Sequence, residues 1–214
     1  TPAGNRESGG KGGTDGGSPA PLDTFNLKAG EMLLLGRSYS NVEVAANATA
    51  SRWQIRLASR EASGDLEWQA AGRGKLTARL RQLHLDPAKA APGGPPEDAI
   101  EELPALDIVA DDFAVGSRHF GRLEVQARNE RNFWRLDRVA ISNPQGSLKG
   151  TGQWQLGGAK RTQLDFQLEA RDLGKLLDRL GYAGTVRGGT AQLEGKLAWA
   201  GTPRSEEHTS ELQS

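Results

Sequence analysis

Gly121-Arg-Leu-Glu-Val-Gln-Ala-Arg128 and Leu164-Asp-Phe-Gln-Leu-Glu-Ala170 alternate apolar with polar residues almost without a break. A period of two belongs to a β-strand that turns one face toward an apolar environment. The same alternation runs through Trp53/Ile55/Leu57, Leu66/Trp68, Leu76/Ala78/Leu80, Leu148/Gly150/Gly152/Trp154/Leu156 and Leu193/Gly195/Leu197/Trp199. Asn129-Glu-Arg-Asn132, Gly157-Gly158 and Gly188-Gly189 supply hairpin-turn residues. The chain therefore reads as mainly β, an antiparallel meander. One segment departs from this pattern. Asp172 can cap a helix whose Leu173, Leu176, Leu177 and Leu180 fall at i, i+3, i+4 and i+7, with Gly181 placed to stop it. The expectation is a single short amphipathic helix near residues 172–181.

The strand pattern also repeats. Tyr39, Val42-Glu-Val-Ala-Ala46 and Trp53-Gln-Ile55 are answered, 81 residues later, by Phe120, Leu123-Glu-Val-Gln-Ala127 and Trp134-Arg-Leu136. Beyond the turns the offset reads as 82, with Gly64 and Leu66 answering to Gly146 and Leu148. Self-similarity at a fixed offset points to stacked supersecondary units that bury one another's faces. The units are placed at residues 22–86 and 105–203, separated by a Pro/Gly-rich loop at 87–104 that is too rich in breakers to be an element. Residues 1–21, with seven glycines in the first twenty, read as a flexible linker. The tail 204–214, Arg204-Ser-Glu-Glu-His-Thr-Ser-Glu-Leu-Gln-Ser214, reads as the codon-for-codon translation of a common sequencing adapter and not as native sequence.

Roughly ten strands, about 4.8 Å apart, each carry an apolar face that one short helix cannot cover. Two outcomes follow. The sheet closes on itself as a β-sandwich, or it curves and twists into a groove whose apolar side stays open. Gly150, Gly152 and Gly195 sit on inward positions, where glycine permits bending or close approach.

Composition removes several functions. Lys+Arg and Asp+Glu both number 27, so there is no basic excess to neutralise phosphates, and nucleic acid is excluded as a partner. The absence of cysteine removes disulfides, zinc-thiolate sites and thiol catalysis. Met32-Leu-Leu-Leu35 is the longest apolar run, far short of the roughly 20 residues of a membrane-spanning helix. His84 and His119 read as solvated imidazoles, and no metal site or cofactor is expected. Asp111 and Asp112, adjacent on a strand, point to opposite faces and cannot share a substrate bond. Gly72-Arg-Gly-Lys-Leu-Thr77 lacks the spacing of a phosphate loop, and no Gly-x-Ser-x-Gly elbow or nucleophile, base and orienting set occurs. No catalytic residue is named and an enzyme is not expected.

Gly64-Asp-Leu-Glu-Trp68, Gly72-Arg-Gly-Lys-Leu-Thr-Ala-Arg-Leu80, Leu103-Pro-Ala-Leu-Asp107, Gly121-Arg-Leu-Glu-Val125, Asn143-Pro144, Gly188-Gly-Thr-Ala191 and Leu197-Ala-Trp199 together resemble the central-to-C-terminal part of YhdP-type proteins of the AsmA-like superfamily. The resemblance spans about residues 22–203 and carries no catalytic residue. It implies a large Gram-negative envelope protein, anchored at the periplasmic face of the inner membrane by an N-terminal helix absent from this fragment. It further implies a twisted β-groove that carries phospholipid acyl chains toward the outer membrane. On that basis the expected lipid-lining residues are Val44, Trp53, Ile55, Leu123, Val125, Trp134, Leu148, Trp154, Phe166, Leu168 and Leu197. The other reading is a ligand-free structural or interaction β-repeat module of the periplasm.

Overall fold

The computed structural model describes residues 24–34, 37–87, 103–156 and 160–201. The expected linker at 1–21, most of the 87–104 loop, the Gly157-Gly158 turn and the 204–214 tail lie outside the described residues. Eleven strands, in sequence order, form one sheet. They are β1 (Thr24–Leu34), β2 (Arg37–Thr49), β3 (Arg52–Ala58), β4 (Ala62–Gln69), β5 (Lys75–Leu85), β6 (Ala105–Val115), β7 (Arg118–Glu130), β8 (Phe133–Asn143), β9 (Gly146–Gln155), β10 (Arg161–Ala170) and β11 (Ala191–Ala200). Between β10 and β11 lies the one helix of the described residues, α1 (Leu173–Arg179).

The meander is antiparallel at every step but one. β5 and β6 are parallel, with Lys75 opposite Ala105 and Leu85 opposite Val115. This corrects the all-antiparallel expectation, and the reason is in the connection. Neighbouring strands that run the same way need a crossover of a dozen or more residues, and the long Pro/Gly-rich stretch between Leu85 and Ala105 supplies that length.

The sheet is not closed. Among the described residues β1 pairs only with β2 and β11 only with β10. Burial agrees with a single layer. In a closed sandwich the inward Leu, Ile and Phe side chains would be fully buried. Here the largest side chain under 2% exposed is Val42, and most of the buried apolar residues are alanines, among them Ala46, Ala78, Ala110 and Ala127. The sandwich alternative is therefore not formed.

The 81-residue offset holds to the residue for the first two strands of each unit, since β6 and β7 start and end 81 positions after β1 and β2. The later offset of 82 does not describe the pairing. Trp68 lies opposite Trp53, and the residue opposite Trp134 is Trp154, four positions beyond the one that offset gives. The β8–β9 hairpin is longer than β3–β4 and adds the pairs Ile141–Leu148 and Asn143–Gly146 at its tip.

At α1 the Asp172 side chain accepts from the Lys175 N–H at 3.0 Å, and Leu176 is buried. Gly181, at φ +89°, provides the left-handed turn after the helix, where the Tyr182 N–H reaches the Leu177 carbonyl at 2.8 Å. Gly188-Gly189 is not a hairpin turn. Its carbonyls accept from the Gly174 and Leu173 N–H groups at 3.1 and 2.8 Å, so it braces the helix start.

Candidate functional site

Residues directly opposite one another in a sheet project to the same side, so the register assigns each residue to a face. Followed from strand to strand, it gives ladders that cross the whole molecule. One runs Leu27, Val44, Leu57, Gly64, Leu80, Ala110, Leu123, Ile141, Leu148, Leu168, Leu193. The next runs Phe25, Ala46, Ile55, Leu66, Ala78, Ile108, Val125, Val139, Gly150, Phe166, Gly195. A third, from β2 onward, runs Ala48, Trp53, Trp68, Leu76, Leu106, Ala127, Leu136, Gly152, Leu164, Leu197. None of the three holds a charged or polar side chain. At a strand spacing of about 4.8 Å and about 6.8 Å between alternate residues, they form an apolar stripe roughly 48 Å long and 14 Å wide.

All eleven residues singled out from the sequence lie on this face. Val44, Leu123, Leu148 and Leu168 are on the first ladder; Ile55, Val125 and Phe166 on the second; Trp53 and Leu197 on the third. Trp134 and Trp154 pair one step beyond the third ladder. Leu123 and Trp154 are buried, at 7% and 4%, Leu197 is 50% exposed, and the other eight are intermediate. The sequence reading missed Phe25 and Leu27 on β1, Leu106, Ile108 and Ala110 on β6, and Val139 and Ile141 on β8. Their signal was available for Leu106/Ile108/Ala110, which alternate. It was hidden for Val139 and Ile141, because a bulge between Leu136 and Val139 shifts the parity of β8.

Glycines let neighbouring strands approach closely on the apolar side. A Cβ on Gly152 would stand 2.6 Å from the Gln163 carbonyl oxygen, and one on Gly146 or Gly64 would meet the carbonyl of Glu169 or Arg79. A Cβ at these positions projects to the apolar side, so the neighbouring strand rides up toward that side. The β4–β5 and β9–β10 seams are thus places of close backbone approach on the apolar side. At Gly195 the Phe166 ring lies over the missing side chain, 2.6 Å from where a Cβ would be.

Tryptophan is distributed unevenly. All five lie on the apolar face near one rim: Trp53 opposite Trp68, Trp134 opposite Trp154, and Trp199 one strand beyond Thr162 in the same ladder. Trp134 donates its indole N–H to the Pro104 carbonyl at 3.0 Å, whereas the buried Trp154 Nε1 has no hydrogen-bond partner.

The opposite face is charged and cross-linked. Lys28–Glu43 (2.8 Å), Arg56–Asp65 (3.4 Å), Arg79–Asp107 (3.0 Å), Arg138–Glu124 (3.1 Å) and Lys196–Asp165 (3.6 Å) pair across neighbouring strands. Such ladders keep one side in water and fix which side is apolar.

Asp111 and Asp112 part company, as adjacent strand residues should. Asp111 pairs with Arg122, while Asp112 meets two imidazoles. His84 Nε2 lies 2.9 Å from Asp112 Oδ2 and His119 Nδ1 lies 3.1 Å from Asp112 Oδ1. Hydrogen bonds from His119 and then His84 hold the Asp112 carboxyl below its ordinary value. The two histidines are thus not the independently solvated imidazoles expected from the sequence.

No described helix is long and apolar enough to cross a membrane. No curated protein and no solved structure matches the chain. A family model described as YhdP protein matches residues 4–210, nearly the entire length. The chain belongs to the YhdP protein family, a cell-envelope family of the AsmA-like group.

Proposed function

We propose that the apolar stripe is the wall of a groove along which phospholipid acyl chains pass between the inner and outer membranes of the Gram-negative envelope. The observation that carries this reading is the run of three adjacent ladders without a polar side chain, on a face whose large residues are mostly half-buried and which no second sheet covers among the described residues. Leaving such a surface in water is unfavourable, at about 25 cal/mol for each Å². An acyl chain laid on it gains about 0.8 kcal/mol per methylene removed from water. The contact is non-directional, so binding is apolar and weakly selective for the tail. The stripe runs across the strands, which makes the hydrogen-bonding direction of the sheet the direction of travel.

The test is mass spectrometry of lipids that remain on the purified chain after export to the periplasm. Phospholipid at a defined ratio is expected, and it is lost in Val125→Asp and Phe166→Asp while circular dichroism still reports the strands. A well-folded, lipid-free protein would overturn the groove and leave a structural β-repeat module. Both residues are half-buried, so a charge there need not unfold the sheet.

A further inference from the structure

We propose that His84, Asp112 and His119 form a binding site for one divalent transition-metal ion of the zinc type. The three residues come from adjacent strands β5, β6 and β7, and one ligand atom from each lies within 4.8 Å of the others. The separations, 2.9 Å for His84 Nε2 to Asp112 and 3.1 Å for His119 Nδ1 to Asp112, are near the roughly 3.3 Å between ligands of a tetrahedral centre with bonds of about 2.0–2.1 Å. Small side-chain rotations suffice to admit an ion. The rings meet edge to face, with centroids 5.3 Å apart, so they converge on the carboxylate from different directions instead of stacking.

The fold brings the trio together at an irregularity. Registers shift between Ala110 and Phe113 where β6 meets β7, and the bulge carries Asp111 and Asp112. Bulges commonly re-aim side chains beside sites. Here Asp111 is directed to Arg122 and Asp112 to the histidines. The parallel β5–β6 joint supplies the third member, because it sets His84 beside Ala114 at the same end of the sheet.

Donor chemistry selects the ion. Two imidazole nitrogens and one carboxylate oxygen suit zinc, nickel or copper, while magnesium and calcium require sets made of oxygen. Beside the site the Arg179 guanidinium donates to the His119 carbonyl at 3.4 Å. Affinity comes from the two imidazoles and the Asp112 carboxylate. Each neutral ring would move its remaining proton to the nitrogen away from the ion, which leaves the ligating lone pair free and the net charge of the ring unchanged. The side chains are 33%, 45% and 52% exposed for His84, Asp112 and His119, so an ion has access and a water molecule can complete the coordination.

The first repeat supplies an internal control. At the 81-residue offset Asp112 corresponds to Glu31 and His119 to Ser38, and Ser38 Oγ donates to Glu31 Oε1 at 2.6 Å. The acid and its partner persist there, but the imidazole does not.

Calorimetric titration of the full chain with ZnCl2 should show one saturable site. His84→Ala and His119→Ala should each weaken it at least tenfold, and Asp112→Asn should do so with the strands retained. Zinc should also raise the melting temperature of the parent chain and not of the double histidine variant. His208→Ala should leave binding unchanged, and MgCl2 should give no heat of binding. Zinc binding that survives the double variant, or that vanishes in His208→Ala, would overturn the site, as would the absence of saturable binding in the parent chain.

Discussion

The two repeat units share an apolar face but fill it differently. In the first, the β3–β4 pair carries Ile55 opposite Leu66 and Trp53 opposite Trp68. In the second, the equivalent β8–β9 pair carries Leu136 opposite Gly152 and Val139 opposite Gly150, with Trp134 opposite Trp154. Where the first unit has a leucine side chain, the second has none, and the β10 backbone moves into that space, with the Gln163 carbonyl 2.6 Å from an imagined Gly152 Cβ. The polarity of the stripe is thus the same in both units while the way its face is filled is not. Pattern decides which face is apolar, and residue size on β4 or β9 decides how closely the next strand approaches it.

The comparison can be broken first at its joint. Ala110 on β6 is 0% exposed and packs with Ala78, Leu80 and Leu123, the cluster that binds the two units together. Ala110→Asp should destabilise the protein by about 3–5 kcal/mol, since it leaves an unpaired charge among apolar side chains. Urea denaturation checks this, and unchanged stability would mean that the units do not depend on their joint. A finer contrast concerns the glycine. Gly152→Leu should cost about 1–3 kcal/mol by overpacking against β10, whereas the volume-conserving Leu66→Met at the matching place on β4 should cost under about 1.5 kcal/mol. Equal costs would show that the close approach of β10 at Gly152 leaves no need for glycine there. The smallest effect lies in the helix, which follows β10. Hydrogen bonds from the Lys175 backbone N–H, and then its side chain, hold the Asp172 carboxyl below its ordinary value of 3.8. A lowered folded-state pKa means that the ionised cap stabilises α1 above the unfolded pKa, and that this contribution is lost as pH falls through the folded pKa, below 3.8. Amide exchange at Lys175 should quicken in that acidic window, and Asp172→Asn should remove the step.

Much of this was legible in the sequence because a period of two survives any amount of long-range folding. Val44, Ile55, Val125 and Phe166 could be assigned to one face before their partners were known. Parity fails only at bulges. Leu80 to Leu83, Ala110 to Phe113 and Leu136 to Val139 each advance by three residues while staying on the apolar side, and no local composition marks them. The β5–β6 direction was illegible for another reason, since a Pro/Gly-rich connector can serve equally as a hairpin loop or a crossover. The meeting of His84 with Asp112 depends on that direction. The two are 28 residues apart, on either side of the connector, so neither motif spacing nor periodicity could pair them.

The parallel joint has a geometric consequence. The first unit supplies five strands, an odd number, so continued up-and-down winding would start the second unit head-down relative to the first. The crossover resets the direction, and β6 leaves the joint with the heading of β1. The units are therefore related by a screw displacement and not by an inversion, which is why Trp53, Trp68, Trp134, Trp154 and Trp199 gather along one bank. On the proposed function, an acyl chain on the stripe would meet the same bank chemistry every five strands, or about 24 Å. A lipid so placed would keep its polar end on one side throughout, as a train keeps to one rail, without swinging across the stripe at each unit.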